Sequence, residues 1–408
     1  MTPPSCRLCD ADLEHVVADL GVSPLANRLI HPSDLNRPEM FYPLRVYYCA
    51  NCHLVQLEEF ETPERIFTDY PYLSSMSRSW LDHCSEFAAA MVERLGLDHR
   101  SFVVEVASND GGLLRFFAER EIDILGIEPA RNVAALAIDS GIPTESTFFG
   151  AETAELLTAD RKADLLVANN VLAHVPDLHD FVAGLRAALA PSGTLSIEFP
   201  HLLRLIEERQ FDTIYHEHFS YFSLLSAREV LSRHGLTVID VEHLPTHGGS
   251  LRVFAMHDGR QSPGERVAET LDKERASGLK DPATYQQFHQ TVRAEKRSIV
   301  SRVIALKEQG NTIVGYGAPA KGNTLLNYCG LGTEVVDYTV DASPLKQGKY
   351  LPGSRIPVFS PATIDETKPD LIFILPWNLK REIMHQLEHC REWGARFLVR
   401  TPDLQVLT

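Results

Sequence analysis

The 408-residue sequence lacks the features that mark membrane proteins, nucleic-acid binders and disulfide scaffolds. No apolar segment approaches the roughly 20 residues that span a bilayer, and the opening MTPPSCRLCD lacks a signal peptide's charged start and apolar core. Lys and Arg total 39 against 55 Asp and Glu, whereas nucleic-acid binding needs clustered cations. Seven cysteines are too few for a disulfide scaffold of this length. We therefore expect a soluble, cytoplasmic protein with neither membrane nor nucleic-acid partner.

The composition is that of a globular protein, 44% hydrophobic and 23% charged. Because the chain is too long for one compact core, we expect two or three domains. No internal repeat or low-complexity tract interrupts them.

Four of the cysteines form two Cys-x-x-Cys pairs, Cys6 with Cys9 and Cys49 with Cys52. Two such pairs present four thiolates, which is typical of a tetrahedral structural zinc site with no open position for catalysis. The alternatives are four unliganded thiols or a redox pair, although neither pair has a thioredoxin-like context. The segment YPLRVYY (42–48) alternates as a strand that leads into the second pair.

Residues 101–130 have the pattern of a nucleoside-binding α/β unit. SFVVEVASNDGG (101–112) predicts a buried strand and a loop, followed by a helix and a second strand that ends at Glu128. The loop lacks G-x-G-x-x-G and is closer to the adenosylmethionine-binding pattern of an acid, a variable residue and a small residue. Ala107 stands where that pattern has glycine, and an unrelated helix-capping turn is the alternative. Expected cofactor-binding residues, including two after the next strand, are Glu105, Ala107, Asn109, Asp110, Gly111, Glu128, Pro129, Asn169 and Asn170.

Three titratable residues occur in a row in IYHEHFSYFS (214–223). A zinc protease needs His-Glu-x-x-His on a helix, whereas His216 and His218 are two residues apart, which disfavours a metal site. A packed aromatic loop is the other alternative. Because acid–base groups cluster near a strand end, we favour a general base held by Glu217 and assisted by a tyrosine.

Residues 311–330, NTIVGYGAPAKGNTLLNYCG, predict a second strand–glycine loop–helix unit. Lys321 and the glycines of this loop are suited to binding phosphate at a helix N-terminus. The alternatives are a dinucleotide-binding site and a degenerate half of a Rossmann fold that is kept only for packing.

The motifs together resemble the bacterial sugar C-methyltransferases that act on nucleotide-linked 4-keto deoxysugars. The resemblance runs essentially end to end. It rests on the four paired cysteines, YPYLSS (70–75), VEVASNDG (104–111), GIEPA (126–130), NNVLAHVPD (169–177), IYHEHFSYFS (214–223), HGGSLRVF (247–254), GYGAPAKGNTLLNY (315–328) and VDASPLKQGKYLPGSRIPV (340–358).

The resemblance implies an α/β protein with three domains. These are a zinc-binding domain over 1–68, a class I S-adenosylmethionine (SAM) methyltransferase domain with a Rossmann-like fold over 69–250, and a second Rossmann-like, nucleotide-sugar-binding domain over 251–408. The expected cofactors are S-adenosylmethionine and a structural Zn²⁺.

The resemblance also implies site residues. His218 corresponds to the histidine that removes the proton alpha to the ketone, while an aspartate can occur in relatives at His216. The implied catalytic group is His218, Tyr215, Glu217, His174, Tyr72 and, as substitute for Tyr72, Tyr70. The expected substrate-binding residues are Ser75, His247, Lys321, Asn323, Asp341, Lys346, Trp377 and Asn378.

The expected reaction is C-methylation, at C3, of a 4-keto deoxysugar carried by a nucleotide, dTDP in the first instance. Removal of the proton beside the ketone creates the carbon nucleophile, and neutral donors stabilise the enolate oxygen. Alternatives are methylation at C5 or of another ketone, an O- or N-methyltransferase, and a nucleotide-sugar binder without activity. A monomer or small homo-oligomer is expected.

Overall fold

The computed structural model describes residues 4–68, 70, 73–400 and 402–408. Within these ranges, no helix combines the length and apolar character needed to cross a membrane.

The N-terminal unit is a small antiparallel sheet, with two strands between the cysteine pairs and a third after the second pair. In β2 the residues Leu44 and Val46 are buried and Arg45 is exposed, as the alternation predicted. Its elements are β1 (His15–Ser23), β2 (Tyr42–Tyr48), β3 (Val55–Leu57) and α1 (Pro63–Phe67).

The central unit is a mainly parallel sheet with helices on both faces. Val103 and Val104 are both fully buried in β4, because helices cover the two faces of this strand. The elements are α2 (Arg78–Leu95), β4 (Phe102–Val106), α3 (Leu114–Ala118), β5 (Asp123–Ile127), α4 (Arg131–Asp139), β6 (Thr144–Glu145), α5 (Ala151–Leu157), β7 (Ala163–Asn169), α6 (Leu178–Ala188), β8 (Leu189–Pro200), α7 (Leu202–Glu207), β9 (Ser220–Tyr221), α8 (Leu224–Arg233), β10 (Leu236–Leu244) and β11 (Ser250–His257).

The C-terminal unit begins with two helices and continues as a second, mainly parallel sheet. Its elements are α9 (Glu265–Ala276), α10 (Pro282–Glu308), β12 (Ile313–Tyr316), α11 (Ala320–Cys329), β13 (Thr339–Val340), β14 (Val358–Phe359), α12 (Thr363–Thr367), β15 (Leu371–Ile374), α13 (Lys380–Gln386), β16 (Arg396–Arg400) and β17 (Leu404–Leu407).

Within the described residues the strands form three sheets. The central sheet has the order β10-β11-β8-β7-β4-β5-β6, in which β11 runs antiparallel to its neighbours β10 and β8, and the C-terminal sheet has the order β14-β13-β12-β15-β16-β17, in which β17 runs antiparallel to β16. Both are doubly wound sheets whose strand order reverses beside the first strand. The predicted α/β fold with two Rossmann-like units is confirmed.

The units are more interleaved than a division at residues 68 and 250 implies. Strand β11, which begins at Ser250, pairs with β8 and β10 and therefore belongs to the central sheet. Its buried Leu251, Val253 and Phe254 complete the core of that sheet, so the central unit extends to His257. Strand β9 of the central segment pairs with β3, which makes it the edge of the N-terminal sheet.

The N-terminal and C-terminal units share one hydrophobic core. Helix α10 packs on β1, and the ring of Tyr285 stacks on Tyr48 with 4.2 Å between centroids. The segment of the central unit that carries His218 therefore lies where the three units meet.

Candidate active site

One large cleft lies where the switch points of the two doubly wound sheets face each other. Ligands of such sheets bind beyond the carboxyl ends of the strands, where the strand order reverses. In the central sheet that position lies after β4 and β7, and in the C-terminal sheet after β12 and β15. Residues after all four strands line a cavity of about 1070 Å³, a volume typical of the upper range of ligand sites.

The central half of the cleft is built around the loop after β4. Ala107 and Asn109 have φ values of 57° and 51°, in the left-handed region, so the loop backbone turns sharply at the strand end. Glu128 fixes the loop, because its carboxylate accepts hydrogen bonds from the backbone N–H groups of Asn109 at 2.9 Å and Ala130 at 2.8 Å. Burial raises the pKa of Glu128.

Several buried polar atoms at this end of the cleft have no partner among the described residues. They are Glu105 Oε2, Ser108 Oγ, Asn169 Oδ1 and Asn170 Oδ1. Burial, together with the charges of Glu128 and Asp110, raises the pKa of Glu105 well above its usual value. Because buried polar atoms are rarely left unpaired, this set fits a polar ligand such as the amino-acid and ribose parts of S-adenosylmethionine.

Most of the predicted cofactor residues line this end of the cleft. They are Glu105, Ala107, Asn109, Glu128, Pro129, Asn169 and Asn170.

Asp110, Gly111 and Ser75 do not line the cleft. The Asp110 carboxylate accepts hydrogen bonds from the hydroxyls of Ser74 and Ser75, so Ser75, predicted to bind substrate, holds the loop from behind instead. Gly111 faces Ile142, because a Cβ there would lie 2.8 Å from that side chain.

His218 lies on the cleft wall with both ring nitrogens bonded. Its Nδ1–H donates to the carbonyl of Thr213 at 2.8 Å, and its Nε2 lies 2.9 Å from the hydroxyl of Tyr215. Because a carbonyl only accepts, the bond to Thr213 fixes the tautomer and leaves the lone pair of neutral His218 on Nε2. Burial, reinforced by the charge of His174, holds the pKa of His218 well below its usual value, so the imidazole is neutral at pH 7.

Glu217 does not hold His218, contrary to the sequence-based expectation. Its carboxylate accepts from Asn27 Nδ2 at 2.9 and 2.8 Å and from the Tyr70 hydroxyl at 3.2 Å. Adjacent residues in this turn direct their side chains apart, so the carboxylate and the imidazole have different partners. Burial raises the pKa of Glu217 to about 7, offset in part by these hydrogen bonds.

Of the other predicted catalytic residues, three line the cleft and one lies outside the described residues. His174 lines the cleft, with its ring centroid 4.8 Å from that of His218, and burial lowers its pKa to about 4. Tyr70 and Tyr215 also line the cleft. Tyr72 lies outside the described residues.

His216 has a structural position. Its Nε2–H donates to the carbonyl of Pro43 at 3.1 Å, and its ring packs against Tyr42 and Phe60. Among the described residues, the groups able to hold a metal ion are the four paired cysteines and a set formed by the exposed Asp365 and His389 with the buried Cys390, so segment 214–223 is not one of them.

The paired cysteines converge as the spacing predicted. The sulfurs of Cys6 and Cys52 lie 3.5 Å apart, as do those of Cys9 and Cys49, and all four lie within 4.8 Å of one another. Zn–S bonds of about 2.3 Å in a tetrahedron place sulfurs about 3.8 Å apart, which the cluster accommodates. Gln56 donates to the Cys6 sulfur at 3.0 Å.

The C-terminal half of the cleft carries two lysines, of which Lys346 is buried and Lys321 half-buried. Lys321, on the first turn of α11, donates to Asn378 Oδ1 at 2.8 Å, and burial lowers its pKa to about 8. Lys346 donates to the carbonyl of Ala318 at 2.9 Å and lies 3.5 Å from Asp341 Oδ2. These ammonium groups, together with the N-terminal end of α11, give this half of the cleft a positive wall.

Among the remaining predicted substrate residues, His247 lines the cleft, whereas Asn323 and Trp377 do not. The amide of Asn323 donates to the carbonyl of Ala26 at 2.6 Å, and the indole of Trp377 donates to Asp212 at 2.7 Å. Both side chains bond across unit boundaries because their elements lie at the junction of the units.

Sequence reasoning missed two groups at the site. Asn27 comes from the N-terminal unit and is held against Glu217 across 190 positions of sequence. Beside His247, the buried Glu198 accepts from Thr246 at 2.8 Å and from His83 at 3.1 Å. Neither lies in a motif, so only the tertiary fold reveals them.

Family models match three successive segments of the chain. Residues 6–67 match the "Putative zinc binding domain", residues 78–241 the "Methyltransferase domain" and residues 245–402 the "C-methyltransferase C-terminal domain". The predicted zinc and S-adenosylmethionine cofactors are confirmed.

A curated relative is similar over the whole length. C-methyltransferase NovU of Streptomyces niveus is 39% identical over 412 residues, which cover 99% of this chain and 96% of NovU.

Solved structures resemble part of the chain. Magnesium protoporphyrin IX methyltransferase of Synechocystis PCC 6803, with bound SAH, is 14% identical over 44% of this chain and 83% of its own, with a TM-score of 0.35. The glycopeptide N-methyltransferase MtfA with bound SAM is 14% identical over 43% of this chain and 87% of its own, with a TM-score of 0.34.

The end-to-end match to NovU and the three models in the same order lead to one conclusion. The chain belongs to the family of three-domain, S-adenosylmethionine-dependent C-methyltransferases that includes NovU.

Proposed function

We propose that this enzyme methylates C3 of a dTDP-linked 4-keto deoxysugar and that His218 removes the C3 proton. The observation that carries the proposal is the position of the His218 imidazole on the cleft wall, with its Nδ1 bonded to the Thr213 carbonyl. A carbon acid beside a ketone needs such a base, whereas an oxygen or nitrogen nucleophile has its own lone pair.

The residues around His218 are suited to the proton transfer. Nε2 accepts the proton, and the Thr213 carbonyl keeps the ring orientation and stabilises the imidazolium that forms. The hydroxyl of Tyr215, 2.9 Å from Nε2, is positioned to donate to the enolate oxygen once substrate enters. The residues after β4, β5 and β7 would hold S-adenosylmethionine, which would supply the methyl group for the carbon nucleophile and leave as S-adenosylhomocysteine.

The two lysines of the C-terminal half support the nucleotide part of the proposal. A diphosphate at the N-terminal end of α11 would meet Lys321 directly, with Lys346 behind it. The sugar would then extend toward His218 at the junction of the two halves.

Isotope exchange tests the proposed base. A dTDP-4-keto-2,6-dideoxyhexose is incubated in heavy water with and without S-adenosylmethionine, and products are followed by NMR and mass spectrometry. We expect deuterium at C3 without the cofactor and a C3 methyl with it, both reduced roughly 10²–10⁴-fold in His218→Ala.

His257→Ala is the matched control, because His257 is partly buried, bonds to the carbonyl of Leu189 and lies outside the cleft. Deuterium at C5 would indicate that the proton is removed from C5 and not from C3. Absence of both exchange and methylation across a panel of keto sugars would contradict the proposal.

A further inference from the structure

Asp212 joins the central unit to the C-terminal unit through two buried bonds. Its Oδ2 accepts from the indole N–H of Trp377 at 2.7 Å, and its Oδ1 accepts from the guanidinium of Arg400. The side chains of Asp212 and Arg400 are both 0% exposed. A buried ion pair adds little net stability because its desolvation is costly, so its effect is to fix the geometry of the groups it joins.

The segment fixed in this way carries the partner of the base. Asp212 lies in the short turn Phe211–Thr213, and the next carbonyl along the chain, that of Thr213, accepts from His218 Nδ1. The Thr213 hydroxyl also donates to the carbonyl of Gln210 at 2.7 Å. The Thr213 carbonyl therefore lies one residue along the chain from a side chain that two buried bonds hold in place.

Trp377 connects the same turn to the cleft. Its ring lies 4.6 Å from the ammonium of Lys321, which lines the cleft. The ring also packs against Gly248, where a Cβ would lie 2.4 Å from it. One side chain thus contacts the lysine, the loop that carries His247 and the turn that holds His218.

We propose that Asp212, Trp377 and Arg400 form a clamp that positions the Thr213 carbonyl against His218, so that the C-terminal unit controls proton abstraction. The clamp rests on the proposed function, since it acts through the base. A second bond from the C-terminal unit to the same segment supports the clamp, because Thr324 of α11 donates to the carbonyl of Ile214 at 3.1 Å. Ligand contacts to Lys321 would therefore act on the base through Trp377.

The test compares Trp377→Phe with Trp393→Phe. The first substitution removes the donor to Asp212 and keeps an aromatic ring. The second removes an indole donor to the Pro369 carbonyl, 3.3 Å away in the same unit and outside the cleft. The first readout is the tautomer and pKa of the His218 imidazole by ¹⁵N NMR in the unliganded chain, assigned with His218→Ala.

In Trp377→Phe we expect a mixed tautomer and an upward shift of the His218 pKa toward its usual value, because the loosened turn admits water. The groups that face His218 are His174, Tyr215, Tyr221, Lys321 and His247, and neither substitution changes them. We also expect kcat for C3 exchange to fall about tenfold with KM changed less than twofold. Trp393→Phe should match the wild type in both readouts.

An unchanged His218 tautomer and pKa, or a raised KM with unchanged kcat, would overturn the clamp. If the wild type exchanges no proton of any keto sugar, the proposed function fails, and the NMR comparison still decides whether the clamp positions His218. Should Trp377→Phe not fold, Arg400→Lys takes its place, with Arg396→Lys on the same strand as its control.

Discussion

At the scale of single residues, the buried Glu217 makes stability depend on pH. Its pKa is raised to about 7, so between pH 4.5 and 7 the folded chain holds a proton that the unfolded chain has released. The contribution of this group to the free energy of unfolding therefore falls as pH rises through that window.

Glu217→Gln should remove this pH dependence. We expect the variant to gain up to about 3 kcal/mol over the wild type between pH 5 and pH 8, at 1.36 kcal/mol for each pKa unit. Urea unfolding at the two pH values measures the gain. Glu93→Gln, at an exposed position of α2, should show none, and an equal difference at both pH values for Glu217→Gln would contradict the assignment.

Gly248 is a second position with a residue-scale consequence. Its φ of +94° disfavours any side chain, and a Cβ would also collide with the Trp377 ring. Gly259, with a φ of +77° and no atom within 4 Å, isolates the backbone effect.

We expect Gly248→Ala to lose about 1–3 kcal/mol more stability than Gly259→Ala, because the collision adds an overpacking cost to the same backbone strain. Denaturant unfolding of the two variants measures the difference. Equal losses would show that the ring moves aside freely.

The site illustrates which residues a sequence can predict. The cysteine pairs and the loop after β4 were predicted because their residues are close in sequence and their spacing has a geometric cause. Asn27 and Asp212 were not, because each acts through partners more than 150 positions away and lies in no periodic pattern. The prediction of the partner of His218 was wrong for a related reason. Adjacency in sequence suggested Glu217, whereas the turn brings the Thr213 carbonyl to Nδ1 of His218.

At the scale of elements, strand β9 links the four-cysteine cluster to His218. Ser220 and Tyr221 of β9 pair with Gln56 and Val55 of β3. Strand β3 follows the second cysteine pair, and β9 begins two residues after His218. A zinc ion held by four sulfurs would have no open position for chemistry, yet it would fix the sheet that ends beside His218.

Cys52→Ser should therefore reduce both metal content and activity. We expect zinc to fall well below one per chain, the unfolding temperature to drop and C3 exchange to slow, since the sheet loses the metal that closes it. Metal analysis by mass spectrometry, thermal unfolding and the exchange assay measure these effects. Cys329→Ser, at a buried cysteine outside the cluster, should keep its zinc, and full exchange activity in zinc-free Cys52→Ser would contradict the link.

At the scale of the whole molecule, the cleft depends on the position of the C-terminal unit. The fold of each unit could be predicted from local patterns, but the facing of the two switch points could not. That arrangement depends on cross-unit bonds such as Asn323 to Ala26 and Arg400 to Asp212, which leave no local pattern in the sequence.

Lys321 would give the proposed binding of dTDP a pH dependence. Lys321 has a pKa of about 8, so its positive charge is lost as pH rises through that value. We expect the affinity for dTDP, measured by calorimetry, to weaken by up to roughly tenfold between pH 7 and pH 9. Lys321→Gln should bind weakly at both pH values, whereas Lys349→Gln, outside the cleft, should follow the wild type. A wild-type affinity independent of pH would remove Lys321 from the phosphate contact.

The pairing of β9 with β3 restricts how this protein can exchange parts with its relatives. A chimaera cut between residues 68 and 73 would join the first three strands of one parent's small sheet to a fourth strand from another parent. The seam would run between Gln56 and Ser220, and Ser220 is two residues from His218. Recombination should succeed only when residues 4–57 and 211–221 come from the same parent. The part of this enzyme that must be exchanged as one piece is therefore encoded by two separate segments of its gene.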